Sequence, residues 1–346
     1  LILKSLTVMA KRRHRVALLA LSAGPWLSFV GTSSWHVQTY LKQSATLREE
    51  PFRDSTSTLG RFASSASKSV EPASLTPSIM HLGINTLALE IAGQRLLVDP
   101  LLVGNLVFWG QRWAFRGQRR ESSQSILPED VFDRFDAIVI TQGLDDHCHR
   151  PTLERIDRRM PIIANPSAAE ATKQLGFQPS VLQPGESLTL GDLQISAVPG
   201  SVVGPPWQDP ENGYVFTDTR AGGFSIGTEP HGNLLGPALG TSFKRLPSSS
   251  LQKMDAVILP LTSQQISGYR LVNGVQEAAD TLEALDPMPR FLLPLRNAEI
   301  DASGFLAEQL EEDGSLESFS QLQRSRPKLQ KVQLLDLQPG QQVRLE

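Results

Sequence analysis

Asp145, Asp146, His147, Cys148 and His149 follow one another directly, so two carboxylates, two imidazoles and the chain's single cysteine share one stretch. A neutral imidazole and a carboxylate are ordinary ligands for divalent zinc, manganese or iron. A carboxylate beside a metal-held water can also take its proton. Asp146 and His147 are therefore candidate metal ligands, and Asp145 and Asp146 are candidate proton acceptors. The same run also fits a solvated loop whose acid caps the helix that follows.

The elements around this stretch favour a site. Ala137-Ile138-Val139-Ile140 is an apolar run that reads as a buried strand, and it ends at Thr141. Pro151 then opens an amphipathic stretch, Thr152 to Met160, that reads as a helix. Loops at strand ends are where sheet-based enzymes place their chemistry.

Thr141-Gln142-Gly143-Leu144-Asp145-Asp146-His147 resembles the metallo-β-lactamase superfamily signature, Thr-His-x-His-x-Asp-His at the end of a strand. Thr141, Asp146 and His147 match it, while Gln142 and Leu144 stand where the two earlier histidines belong. In the family those histidines hold a first metal, and the Asp and last His hold a second. The resemblance thus implies a first site that is absent or weak. Two further family histidines are missing. Pro199-Gly200-Ser201-Val202 follows the strand after which one is expected, and Arg296 follows Pro294-Leu295 where another is expected. The family's bridging Gly-Asp-Thr is replaced by Glu229-Pro230-His231-Gly232. Glu229 or His231 is then expected to join Asp146 and His147 around a single divalent metal, zinc first, with manganese or iron as alternatives. Pro230-His231-Gly232 also reads as a turn with an exposed histidine.

The resemblance spans residues 80–346 and implies an α+β fold, a four-layer αββα sandwich. Leu-Leu-Val-Asp-Pro at 96–100 resembles a strand end of the branch related to ascorbate-phosphate lactonases, and places Asp99 and His81 near the cleft. Thr-Gln-Gly-Leu-Asp-Asp-His with the later Glu-Pro-His-Gly also resembles chloroplast and cyanobacterial members. His81 to Ile91 reads as one strand, joined by Ala92-Gly93-Gln94 to a second, Arg95 to Val98. Asn165-Pro166 opens a helix that ends near Gly176. Phe305 to Asp313 and Leu316 to Gln323 read as helices, and Val332 to Leu345 as a closing hairpin. Gly223-Phe224-Ser225-Ile226-Gly227 matches the letters of a nucleophile elbow. Pro230 and Gly232 argue against the helix such an elbow needs, so Ser225 reads as a strand residue.

The 346 residues, 40% hydrophobic, suffice for a full core. A net charge of −3 gives no general basic field, so nucleic acid is not an expected partner. One cysteine excludes an internal disulfide and any multi-cysteine zinc site. Residues 1–78 read as a targeting or disordered segment and 79–346 as the domain. Lys11 to Arg15 precede a short, interrupted apolar run, and a Ser- and Arg-rich stretch poor in acids follows. That order suggests a plastid address, with the secretory pathway, or a cytoplasmic tail without an address, as alternatives. No stable membrane span is expected in the mature domain.

Two functions follow. The first is a metal-dependent hydrolase of an ester, lactone or phosphoester, a small-molecule substrate that Arg296 would favour if anionic. The second is a non-catalytic binding protein on the same fold, a pseudoenzyme whose lost histidines mean lost chemistry.

Overall fold

A computed structural model describes residues 76–120, 132–203, 210–234 and 253–346. The N-terminal address read from the sequence lies, through residue 75, outside the described residues.

Two seven-stranded sheets form the middle layers. The first runs, in spatial order, Gln342–Arg344, Ser78–Gly83, Thr86–Ile91, Gln94–Val98, Ala137–Ile140, Ile162–Ala164 and Ser180–Val181. The second runs Gln333–Leu334, Phe291–Leu295, Ala256–Pro260, Ser225–Thr228, Asn212–Asp218, Leu193–Pro199 and Ser187–Leu190. Each sheet has an antiparallel half and a parallel half.

Side-chain alternation explains the layering. Successive strand residues face opposite sides of a sheet. Ala137 and Val139 enter the core between the sheets, where they join Leu89, Leu96, Tyr214, Phe216 and Ile258. Ile138 and Ile140 face outward and pack with Ala168 and Ala169 of the helix Pro166–Gln174. In the second sheet Ala256 and Ile258 face inward, while Val257 and Leu259 face Ala278, Leu282 and Phe319 of the helices Val275–Ala284 and Leu316–Ser325. Both strands are buried on both faces, which is why they read as unbroken apolar runs rather than alternating ones. Each of the Val, Leu, Ile and Phe side chains among them contributes on the order of 1.5–3 kcal/mol by leaving water. The result is helix, sheet, sheet, helix: the expected αββα sandwich.

Four local expectations are corrected. The strand read as 81–91 is two, Ser78–Gly83 and Thr86–Ile91, because Gly83 (φ 111°) and Ile84 (φ 51°) turn the chain between them. The helix read from Thr152 to Met160 is a short turn, Arg150–Leu153, after which Arg158 donates to the carbonyls of Leu153 and Ile156. The segment Phe305 to Asp313 is a 3-10 turn, Ala307–Gln309, and a strand, Leu310–Asp313, that pairs with Ser263–Ile266. The last two strands form no hairpin: Gln333–Leu334 pairs with Phe291–Leu295, and Gln342–Arg344 pairs across the sandwich with Ser78–Gly83.

Asn165 caps its helix as the sequence predicts, its side chain accepting from Ala168 N. Ser225 begins the strand Ser225–Thr228, as read, and its hydroxyl donates to Lys253 O. No helix among the described residues is long and apolar enough to cross a membrane.

Candidate metal centre

The site assembles where strand ends of both sheets meet. Thr141 O, at the exit of Ala137–Ile140, accepts from Asn212 N at 3.0 Å, and the Tyr214 hydroxyl donates to Ile140 O at 3.4 Å. Asp99 leaves the strand Gln94–Val98, Glu211 precedes Asn212–Asp218, and Glu229 follows Ser225–Thr228. Residues far apart in the chain are thus brought to one end of the sandwich.

His147 is fully buried. Its Nδ1 lies 2.8 Å from Asp99 Oδ2 and 3.1 Å from Thr141 Oγ1. Its Nε2 lies 3.1 Å from Asp146 Oδ2. Asp99 is held in turn by Thr141, whose N–H donates to Oδ1 at 2.8 Å and whose hydroxyl donates to Oδ2 at 2.7 Å. His231 stands opposite, its ring centroid 5.3 Å from that of His147. Its Nδ1 is 2.6 Å from Glu211 Oε2. Ligand atoms of Asp146, His147 and His231 lie within 4.8 Å of one another, and so do those of Glu211, Glu229 and His231.

Burial and charge set the protonation. Burial opposes ionisation of Asp146, but His147, by charge and hydrogen bond, outweighs it and holds the carboxyl below its ordinary value. Burial also opposes a charge on His147, and Asp146 and Asp99 together overcome it, placing the ring well above the usual histidine value. Burial pushes the Glu211 carboxyl well up and, with Glu211 as neighbour, raises Glu229. Burial and the charge of His147 hold His231 down to about 4.

A divalent cation fits this donor set. Metal-bound histidines characteristically give their second ring nitrogen to a carboxylate, and both His147 and His231 do so here. Asp146 Oδ1 and Glu211 Oε1 are buried without a hydrogen-bond partner. Such orphaned carboxylate oxygens cost free energy unless something positive approaches them.

Asp146, His147 and His231 come together as the sequence predicts. Glu229 stands in the second group, where each oxygen also holds the backbone: Oε1 accepts from Ser201 N at 3.0 Å, and Oε2 accepts from His231 N at 3.1 Å and from Asn233 N. Ser201, in the segment after which the resemblance leads one to expect a histidine, thus serves through its amide. Asp145 Oδ2 accepts from Trp109 N at 3.0 Å, and burial raises its carboxyl. Arg296 donates to Leu337 O at 2.8 Å and pairs with Asp336 at 2.5 Å and with Glu299. Its fork is occupied by the chain itself. His149 is buried and bonded to Thr152 Oγ1 and Asn105 O, and Cys148 is buried in the core of the outer layer. Glu211 escaped the sequence reading, since Pro210-Glu211-Asn212-Gly213 has the composition of an exposed turn. The one available signal was its place directly before a strand, where this fold collects its chemistry.

A family model of the beta-lactamase superfamily domain matches residues 78–296. No curated protein matches the chain. Among solved structures, a novel metallo hydrolase from the hyperthermophilic archaeon Ignicoccus hospitalis is similar at TM-score 0.53 and 16% identity, covering 78% of this chain and 99% of that one. The isothiocyanate hydrolase from Delia radicum gut bacteria is similar at TM-score 0.54 and 18% identity, covering 78% and 98%. A diiron β-hydroxylase from Streptomyces venezuelae is similar at TM-score 0.51 and 15% identity, covering 80% and 55%. At such identities the likeness is one of fold, and these neighbours carry different chemistries on it. Function has to be argued from the site.

Proposed function

The chain belongs to the beta-lactamase superfamily, and on that premise we propose that it is a metal-dependent hydrolase of a small-molecule ester, lactone or phosphoester with a reduced, single-metal site. One observation carries the proposal: Asp146, His147 and His231 converge, and a buried carboxylate backs each imidazole.

Asp146, His147 and His231 would hold the cation, with zinc the first expectation and manganese or iron next. When bound, the cation supplies a Lewis acid that polarises a carbonyl or phosphoryl oxygen and lowers the pKa of water. The chain's own residues do the rest. Asp99 fixes the His147 ring so that Nε2 faces Asp146. Glu211 orients His231 in the same way. Glu229 gathers the amides of Ser201, His231 and Asn233, which locks the loop that carries His231. Asp145, next in the chain to Asp146 and held by Trp109 N at 3.0 Å, is the carboxylate left to accept the proton. Arg296 leaves the substrate-binding set, since Glu299 and Asp336 already neutralise it.

Elemental analysis of the purified protein tests the proposal, together with turnover of nitrophenyl esters, lactones and phosphodiesters. About one equivalent of metal is expected, falling sharply in His147→Ala and His231→Ala. A protein that takes up no zinc, manganese or iron overturns the reading in favour of the non-catalytic binding protein.

A further inference from the structure

The tight turn between the first two strands, held by His81 through Gly83 N and Ile84 O, contains a strained backbone position. Gly83 and Ile84 both adopt positive φ, 111° and 51°. For a β-branched residue such as Ile84 that is a true outlier, and such strain persists where the surroundings enforce it, often at functional sites. The turn delivers Asn85 and Thr86 inward. Thr86 does the structural work: its hydroxyl donates to Asp99 O at 2.9 Å and accepts from Leu101 N at 2.9 Å.

Asn85 does none of this. It is buried, its Nδ2 lies 3.5 Å from His147 Nε2, and its Oδ1 is buried with no partner. As placed, the amide turns its nitrogen to the His147 Nε2 that faces Asp146 and leaves its oxygen buried without a partner. A half-turn of the amide, which exchanges oxygen and nitrogen at little cost in shape, brings an acceptor to the same spot. The side chain thus reaches the His147 nitrogen that faces Asp146, and the atom it has to spare is an oxygen.

We propose that Asn85 is a further metal ligand, its carboxamide oxygen completing the coordination begun by Asp146, His147 and His231. It would take the place of an imidazole that Gln142 and Leu144 do not supply. The inference rests on the single-metal reading above and adds a residue to it. Amide oxygens are accepted ligands of hard and borderline divalent cations.

The test is metal titration of the full-length protein with cobalt(II), followed by its visible absorption and by affinity, in Asn85→Ala and Asn85→Asp. Loss of a ligand is expected to weaken binding by at least the order of tenfold that loss of an outer-shell partner costs, and to change the cobalt spectrum. Asn85→Asp restores an oxygen and should hold affinity at or above the native level. Thermal melting of the metal-free variants shows whether each is folded, and Asn85→Asp carries the test if the alanine variant is not. Native affinity and an unchanged spectrum in Asn85→Ala overturn the assignment while leaving the three-residue site intact. So does a folded Asn85→Asp protein that binds well below the native level. A native protein that binds no cobalt overturns both readings.

Discussion

Asp99 and His147 stand 48 positions apart in the sequence, and Asp99 Oδ2 lies 2.8 Å from His147 Nδ1. The two residues leave adjacent parallel strands, Gln94–Val98 and Ala137–Ile140, and so meet at the sheet's end. Thr141 spends both its amide and its hydroxyl on the same carboxylate. The pair is buried at both ends, so neither partner can turn to water. Asp99 thereby fixes the ring orientation that aims His147 Nε2 at Asp146.

Replacing Asp99 with Asn keeps the shape and removes the charge that holds the His147 ring. Metal affinity is expected to fall by about 10–100-fold, the usual cost of losing a histidine's carboxylate partner. Asp99→Ala also breaks a buried pair and should cost about 3–5 kcal/mol of stability. Metal titration and denaturant unfolding measure the two effects separately. Native affinity in a folded Asp99→Asn protein would remove Asp99 as the orienting residue.

Much of this arrangement is legible in the sequence, for physical reasons that differ by residue. Ala137 to Ile140 is apolar throughout because the strand is covered on both faces, and that run marks Thr141 as a strand end. Asp146 and His147 stand out by residue type and His231 by its place after a strand. Glu211 and Asn85 do not stand out, because their roles depend on partners 20 and 62 positions away. Arg296 misleads for a related reason. A lone arginine at a strand end looks available, and only the fold brings Asp336 to it. The closing strands fail as a hairpin because a short turn signal cannot say that its two flanks belong to different sheets.

Gly143 sits where the metal-motif loop presses on the start of the helix Pro166–Gln174. A Cβ there would lie 2.8 Å from the backbone carbon and oxygen of Ser167, atoms that a helix holds fixed. Gly143 N also donates to Ser167 Oγ at 3.0 Å. Gly143→Ala must push the loop off the helix, at a cost of about 1–3 kcal/mol. Because Asp146 rides on that loop, metal affinity should drop with stability. A melt and a metal titration of the variant check both, and native values in each would show that the loop yields freely.

Arg296→Ala separates a structural arginine from a substrate-binding one. Its guanidinium meets Glu299, Asp336 and the Leu337 carbonyl while largely buried. Charge-assisted bonds of this kind contribute about 1.5–3 kcal/mol. The variant is expected to lose stability on that scale and to keep its KM for anionic and neutral substrates alike. A selective rise in KM for anionic substrates would return Arg296 to the binding site.

Cys148 adjoins His147 yet faces the apolar layer with Ile138, Leu153 and Ile156. Burial, then the charges of Asp99 and Asp145, push its thiol up to about 12. The thiolate is the reactive form, so alkylation of the folded protein should be very slow and should become rapid in denaturant. Mass spectrometry after iodoacetamide treatment reads this directly. Fast labelling of the native protein would place the thiol at the surface instead.

His81 sets a pH limit on the fold that is independent of any metal. Its Nδ1 accepts from Gly83 N at 3.2 Å and its Nε2 lies 3.2 Å from Ile84 O, which fixes a neutral ring with the proton on Nε2. A second proton would face the Gly83 amide. Burial, and then the charge of Arg296, hold the ring down to about 4, against 6.5 in an unfolded chain. As pH falls below 6.5 the unfolded chain takes up the proton first, so stability is complete above 6.5 and declines through the interval down to about 4. At 1.36 kcal/mol per pH unit the loss attributable to His81 is about 3 kcal/mol. Buried carboxylates titrate over part of the same range, so the variant His81→Asn supplies the comparison. Its unfolding free energy should be lower at neutral pH and fall less steeply between 6.5 and 4 than that of the native chain. Parallel slopes for the two proteins in denaturant unfolding would mean that His81 is charged, or reached by water, in the folded state.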